Sequence, residues 1–397
     1  MRSDYIELKE GISLVLDYRG KTPKKLGSDW VEDGVRVVSA KNVHDGVLDN
    51  LDDIRCVTPS VYKKWMKDEI RRNDILLASE GASMGESMLW ESDEKIVLGQ
   101  RLFGLRCDEN ILDPFYLAMY IRTPEYRAEL ENHATGTSVM GLRQPALLGT
   151  KIRYIPLAAQ KRIGQMYKAL NAKVENNKRI NDNLLEQMQA LYKAWFVDYL
   201  PFGGVKPESW TQADIYSLAN IIYGAPFASK QFNTEGNGKP IIRIRDLKDQ
   251  QFATYTTEVH PKGYLLQPGD IVVGMDGEFR PYIWGNDEAW LNQRVCVFEN
   301  KRPNGKAFLY FTIKPLLFAI EQTQVATTVI HIGKKDYDAF EITLPDSSTL
   351  DSFDSLTSPM ITRIVSNSFE NKRLATMRDT LLPKLMSGEI DVSGIQL

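Results

Sequence analysis

The sequence predicts an α+β fold. Two mixed α/β modules are joined by two long antiparallel coiled-coil helices, giving an internal pseudo-twofold repeat. Three observations lead there. First, segments of the first half recur in the second. Asn73-Asp74-Ile75-Leu76-Leu77 is answered by Gly269-Asp270-Ile271-Val272-Val273, and Gly99-Gln100-Arg101 by Asn292-Gln293-Arg294. Ile152-Arg153-Tyr154-Ile155-Pro156 is answered by Glu341-Ile342-Thr343-Leu344-Pro345, and Asn177-Lys178-Arg179-Ile180 by Asn371-Lys372-Arg373-Leu374. Arrays of short repeats have periods of roughly 20–50 residues, so this is the duplication of a whole domain. Second, each module is followed by a heptad stripe. Third, each stripe contains two asparagines four residues apart.

The parts follow in order: residues 1–155 a module, 156–200 a helix, 201–345 a second module, 346–397 a second helix. In the first module, Val35-Arg36-Val37-Val38-Ser39, Asp74-Ile75-Leu76-Leu77-Ala78 and Leu102-Phe103-Gly104-Leu105-Arg106 read as short strands between Gly and Asp turns. Pro114 to Arg127 reads as a helix with Asp113 as N-cap and Pro114 in the first turn. From Leu157 to Trp195 the period changes. Ile163, Leu170, Asn177, Leu184 and Leu191 stand seven apart, as do Tyr167, Val174, Asn181, Met188 and Trp195. That is a seam of about five heptads, roughly 58 Å at 1.5 Å per residue. Pro201-Phe202-Gly203-Gly204 breaks it. The second stripe carries Phe353, Met360, Asn367, Leu374 and Leu381, with Ile364, Asn371 and Leu385 beside it, and Pro383 ends or kinks that helix. One such stripe alone is an ordinary amphipathic helix. Two, each after a homologous module, pack most economically on each other, with the asparagines costing stability and fixing register. A chain that leaves the first module on one helix and returns on the other pairs them antiparallel.

Composition bounds the function. With 43% apolar and 10% aromatic residues the chain can bury real cores. Three cysteines, Cys56, Cys107 and Cys296, stand far apart without a Cys-x-x-Cys, so neither a disulfide framework nor a zinc site is indicated, and a reducing cytoplasm fits. No run approaches the roughly 20 apolar residues of a membrane helix, and no signal peptide is read at the start. The net charge is −3, which counts against a free-standing DNA binder. The cations are clustered, however: Arg19-Gly20-Lys21-Thr22-Pro23-Lys24-Lys25 in one half, Lys239-Pro240-Ile241-Ile242-Arg243-Ile244-Arg245 in the other. Either cluster alone reads as a solvated face; one early in each half makes a ligand surface the competing reading.

Catalytic signatures are scarce. Gly20-Lys21-Thr22 resembles the end of a P-loop, but Val15 stands where its first glycine belongs. There is no His-Glu-x-x-His and no Asn-Pro-Pro-Tyr-type methyltransferase motif. The four histidines are scattered singly. Glu80 and Asp276 occupy matching positions, and one carboxylate per module cannot form a local acidic pair. Each is expected to set a turn or accept from a cytosine amino group.

Asp17-Tyr18-Arg19-Gly20-Lys21-Thr22-Pro23, Ser39-Ala40-Lys41-Asn42-Val43, the two Gln-Arg segments and Leu381-Leu382-Pro383-Lys384-Leu385-Met386-Ser387-Gly388-Glu389-Ile390 resemble, in this order, type I restriction–modification specificity subunits. The resemblance covers the whole chain. It implies two target recognition domains, each reading one half of a bipartite double-stranded DNA sequence, spaced by the paired helices. It implies a phage-defence complex in which two methyltransferase subunits dock on the helices and restriction/translocase subunits join them. S-adenosylmethionine, ATP and magnesium would belong to those partners, and this chain would hold no cofactor and do no chemistry. The DNA candidates are Arg19, Lys21 and Lys24 for phosphate, and Lys41, Asn42, Thr135, Thr137, Ser138 and Arg143 for base edges. Their second-module analogues are Lys230, Arg243, Arg245, Thr327, Thr328 and Lys334. Tyr223-Gly224-Ala225-Pro226-Phe227 makes the second loop less basic than the first. Gln100-Arg101 and Gln293-Arg294 read equally as DNA contacts and as internal ion pairs. The competing classes are a restriction enzyme fragment with its own activity, and a coiled-coil scaffold that binds protein without reading DNA.

Overall fold

A computed structural model describes residues 4–44, 46–136, 139–323, 331–386 and 389–390. Two compact units emerge, Met1–Ala172 with Ala375–Leu397, and Lys173–Leu374. Each unit therefore takes a stretch of both long helices; the units do not part at the helix ends.

The first unit is built on a four-stranded antiparallel sheet in the order Ile12–Asp17, Leu102–Cys107, Ile75–Ala78, Ser87–Leu89. Ile75, Leu76, Leu77 and Ala78 are all fully buried. Side chains alternate between the faces of a strand, so such a run requires both faces to be covered. Ile75, Leu77, Phe103 and Leu105 face helices Pro114–Ile121 and Pro124–His133 through Tyr116, Leu117 and Tyr120. Leu76, Ala78 and Leu102 face a second layer containing Val38, Val57, Trp65 and Leu98. In that layer Val35–Val38 runs parallel to Val97–Leu98 and antiparallel to Cys56–Val57. A two-stranded ribbon, Tyr5–Glu7 on Lys151–Arg153, closes the unit ahead of the first long helix.

The second unit repeats the layered plan, with one helix in place of two and a larger second sheet. Its antiparallel sheet runs Ala219–Tyr223, Val295–Asn300, Ile271–Gly274, Pro281–Ile283. Ile271 and Val273 face helix Lys306–Thr323, while Val272, Val295 and Val297 face Ile242 and Leu291. Lys239–Ile242 lies parallel to Ala289–Leu291, and Thr211–Asp214 pairs with Glu341–Leu344.

The expected helix over Pro114–Arg127 is two helices. Thr123 is extended (φ −70°, ψ 148°) because it precedes Pro124, and its hydroxyl caps the second helix at Tyr126 N. Asp113 caps the first helix as expected, accepting from Tyr116 N at 2.9 Å.

The long helices span Leu157–Phe196 and Ser347–Met386, 40 residues each. The second continues through Pro383 to Met386 rather than stopping there. Within the second unit the two are antiparallel: Asn177 Nδ2 donates to Asn371 Oδ1 (2.9 Å) and Glu370 Oε2 (2.8 Å). Further along, Asn367 Nδ2 donates to Asn181 Oδ1 (2.8 Å), and Asn181 Nδ2 reaches Ile364 O (3.4 Å). Asn177 and Asn367 are 0% and 1% exposed, so these are interior bonds. Leu184 and Leu191 pack on the unit's core, and Leu374 is half-buried. Within the first unit, Ile163 shares a core with Leu385 and Met386, Leu381 packs against it, and Leu170 is half-buried. Arg378 Nη1 donates to Asn171 Oδ1 at 3.3 Å.

The second long helix is started by Asp346. Its carboxylate accepts from Thr349 N (2.9 Å), Ser348 Oγ (2.7 Å) and Ser209 Oγ (3.2 Å). The Thr349 amide and the Ser348 hydroxyl hold it far below the usual carboxylate range. A depressed pKa means the stabilisation is present at neutral pH and is lost as acid protonates the carboxylate. Asp346→Ala is expected to lower unfolding free energy by about 1 kcal/mol at neutral pH. Chemical denaturation should show the deficit shrinking on acidification.

The asparagine ladder makes a second prediction. Asn177→Leu alone strands Asn371 and should destabilise by roughly 1–3 kcal/mol. Asn177→Leu with Asn371→Leu should recover most of that loss, because an apolar pair replaces a polar one of similar shape. Thermal unfolding of the single and double variants measures both.

Candidate nucleic-acid interface

In the first unit the loops at one edge of the two layers enclose a cavity of about 690 Å³. Lys21, Lys41, Arg55 and Arg101 line it, with Trp30 on one wall and Glu80 on another. The Arg55 guanidinium lies 3.9 Å over the Trp30 ring. A flat cation on an indole leaves its N–H edge free to meet an anion or a base edge. Lys41 is 57% exposed and paired with Asp53 at 3.0 Å.

Several candidates read from the sequence are spent internally. Arg19 grips Asp17 with two hydrogen bonds of 2.8 Å, gives a third to Leu142 O (3.0 Å), and lies 3.9 Å over Phe103. It ties a strand to a loop, which removes it from the phosphate candidates. Lys21 donates to Trp65 O at 2.6 Å, and burial together with neighbouring Lys67 lowers its pKa. Asn42 is fully buried: its Oδ1 accepts from Ser39 N (3.0 Å) and its Nδ2 donates to Asn50 O (3.3 Å). It shapes the loop that presents Lys41, and its amide is spent on that loop. Arg243 is likewise held, by Asp246 at 3.2 Å and by the Thr254 hydroxyl.

Others stay on the surface. Lys24, Thr135, Arg143 and Lys230 are exposed. Arg245 is 70% exposed. Lys334 is 70% exposed and pairs with Asp338 at 2.8 Å. Thr137, Ser138, Thr327 and Thr328 lie outside the described residues.

The structure also matches residues that sequence reading left unmatched. Ala40–Asn42 and Ile244–Asp246 are equivalent 3₁₀ turns. Asn42 Oδ1 accepts from Ser39 N, and Asp246 Oδ2 from Arg243 N, both at 3.0 Å. Lys41 and Arg245 are therefore exposed cations at equivalent places. The signal was a cation one residue before a short capping side chain, too common to single out.

Arg101 pairs with Glu80 (3.2 Å), and Arg294 with Asp276 (3.9 Å). His331 Nδ1 lies 2.6 Å from Asp276 Oδ1. The Gln-Arg segments and the lone carboxylates, noted separately in the sequence, thus meet in both units. Among the described residues, no group of three or more His, Cys, Asp or Glu side chains is placed to hold a metal ion, and no helix is long and apolar enough to cross a membrane.

Comparison with known proteins bears on this surface. Residues 207–363 match the family model described as the type I restriction modification DNA specificity domain. The specificity subunit of the Escherichia coli type I restriction enzyme EcoBI is 37% identical over 139 residues, 35% of this chain. That match spans 29% of the length of the EcoBI subunit. The MjaIX specificity subunit of Methanocaldococcus jannaschii is 23% identical over 70% of both chains. The HindI specificity subunit of Haemophilus influenzae is 22% identical over 82% of this chain and 88% of its own. The crystal structure of the type I restriction–modification S subunit of M. genitalium shares the fold, with a TM-score of 0.56 at 15% identity over 96% of this chain and 95% of that one. The resemblance read from the sequence therefore holds: residues 207–363 match the type I DNA specificity domain, and the chain is similar to type I restriction–modification specificity subunits along most of its length.

Proposed function

We propose that this chain is the DNA-reading subunit of a type I restriction–modification complex, with one mixed α/β module per half of a bipartite, asymmetric double-stranded target. The observation that carries the proposal is the duplication. Sheet order, doubly buried central strand, parallel strand pair and Arg–carboxylate contact recur in both units. A reader built twice calls for a ligand read twice. In the first module, Lys41, Arg55 and Trp30 at the cavity, with Lys24, Thr135 and Arg143 outside it, are the contacts to DNA. In the second, Lys230, Arg245 and Lys334 serve. The paired helices, with a register pinned by four asparagines, set the spacer between the half-sites and dock two methyltransferase subunits. Restriction/translocase subunits join through that assembly, which works in the cytoplasm.

The reaction belongs to those partners. They would bring S-adenosylmethionine for adenine methylation, and ATP with magnesium for translocation. This chain would bind no cofactor. A net charge of −3 suits a subunit whose partners complete the grip on phosphate.

Methylome sequencing of the host with and without this chain tests the proposal. Loss of methylation at one bipartite motif, and at no other, is the expected result. An unchanged methylome would refute it, and loss of a continuous motif would refute the bipartite reading.

A further inference from the structure

Resting on the DNA-binding reading above, we propose that Arg101 and Arg294 are matched clamps on the sugar–phosphate backbone, one per unit, that hold DNA irrespective of its sequence. Three observations carry this.

The first is backbone conformation. Arg101 has φ +62° and Arg294 φ +70°. A side chain in this left-handed region is strained, and such strain persists where the surroundings impose it. The frame that imposes it is the same in both units. Ser79 N donates to Arg101 O and Met275 N to Arg294 O, each at 2.8 Å. Leu142 N then donates to Ser79 O (2.7 Å), and Ile332 N to Met275 O (2.9 Å). Each arginine is locked where the central strand ends and a third loop joins.

The second is what the guanidinium does. Arginines that serve the fold are largely buried and gripped by two or more bonds. Arg106 is 21% exposed and holds Asp74 through bonds of 2.8 and 2.7 Å. Arg302 is 27% exposed and holds both Asp351 and Asp354. Arg101 and Arg294 are each 55% exposed, and each faces a single carboxylate without a hydrogen bond among the described residues. The carboxylate orients the cation and leaves its N–H fork free. That fork matches two phosphate oxygens.

The third is recurrence set against divergence. Around Arg101 the cavity holds Lys21, Arg55 and Trp30. The matching loop in the second unit, Tyr223-Gly224-Ala225-Pro226-Phe227, has no cation. Two modules that read different half-sites differ where they meet bases. What they keep in common meets what every half-site has in common, its phosphates.

Glycine accepts a positive φ without strain, so Arg101→Gly and Arg294→Gly should fold as well as the wild type. The test titrates salt against binding of the full-length chain to two fluorescent duplexes of unrelated sequence. Each Gly variant should keep the melting temperature. Each should reduce the slope of log K against log salt by about 0.9, one phosphate contact, equally on both duplexes. The double variant should lose about twice that, and Arg101→Lys should restore most of it. Unchanged slopes in variants of a wild type that binds would overturn the inference. A loss confined to one duplex would make these residues base readers and overturn it equally. A wild type that binds neither duplex at low salt would refute the DNA-binding reading itself, and the clamps with it.

Discussion

Everything in either unit hangs on a strand that must be covered on both faces. Ile75–Ala78 and its counterpart Ile271–Gly274 are buried along their whole length. Neither could exist in an open two-layer sheet, where every second side chain would meet water. The helical layer covers one face, and the layer carrying the loops covers the other. The cost of leaving either face bare, roughly 1.5–3 kcal/mol for each large apolar side chain, fixes the loop-bearing layer against the helical one. That rigidity reaches the surface, because the residue after each strand, Ser79 or Met275, is bonded through its amide to the turn that presents Arg101 or Arg294 and through its carbonyl to a third loop. Groups placed on such a frame lose little entropy when they meet a ligand.

The long helices obey a different constraint. Their seam is apolar at Ile163 and Met188 and polar at Asn177, Asn181, Asn367 and Asn371. A fully apolar seam would tolerate a slip of one heptad; a ladder in which each asparagine meets its opposite number does not. The side-chain oxygens of Asn177 and Asn367 have no partner among the described residues, a price in stability for a single alignment.

Much of this was legible in the sequence, for physical reasons. A doubly buried strand reads as an unbroken apolar run, so Ile75-Leu76-Leu77 and Ile271-Val272-Val273 announced themselves. A heptad seam reads at a period that little else produces. The helix break at Pro124 carries its own signal in the Thr123-Pro124 pair, since a residue before proline is pushed out of the helical region. The site was harder to read. Residue type separates neither Arg19, locked on Asp17 and Phe103, from a free cation, nor Asn42, a buried loop brace, from a reader of base edges. Burial decides those cases, and burial depends on contacts distant in sequence, such as Leu142 with Arg19. The Arg–carboxylate pairs were present in the sequence as two unconnected repeats, Gln-Arg and a lone acid. Folding brings them together.

The central claim is that each module is a self-sufficient reader on a shared frame. The most direct measurement exchanges residues 1–155 for the equivalent module of a relative with a different target and sequences the methylome of the resulting strain. One half of the recognised sequence should change while the other half and the spacer stay as they were. A change in both halves, or an altered spacer, would contradict the account.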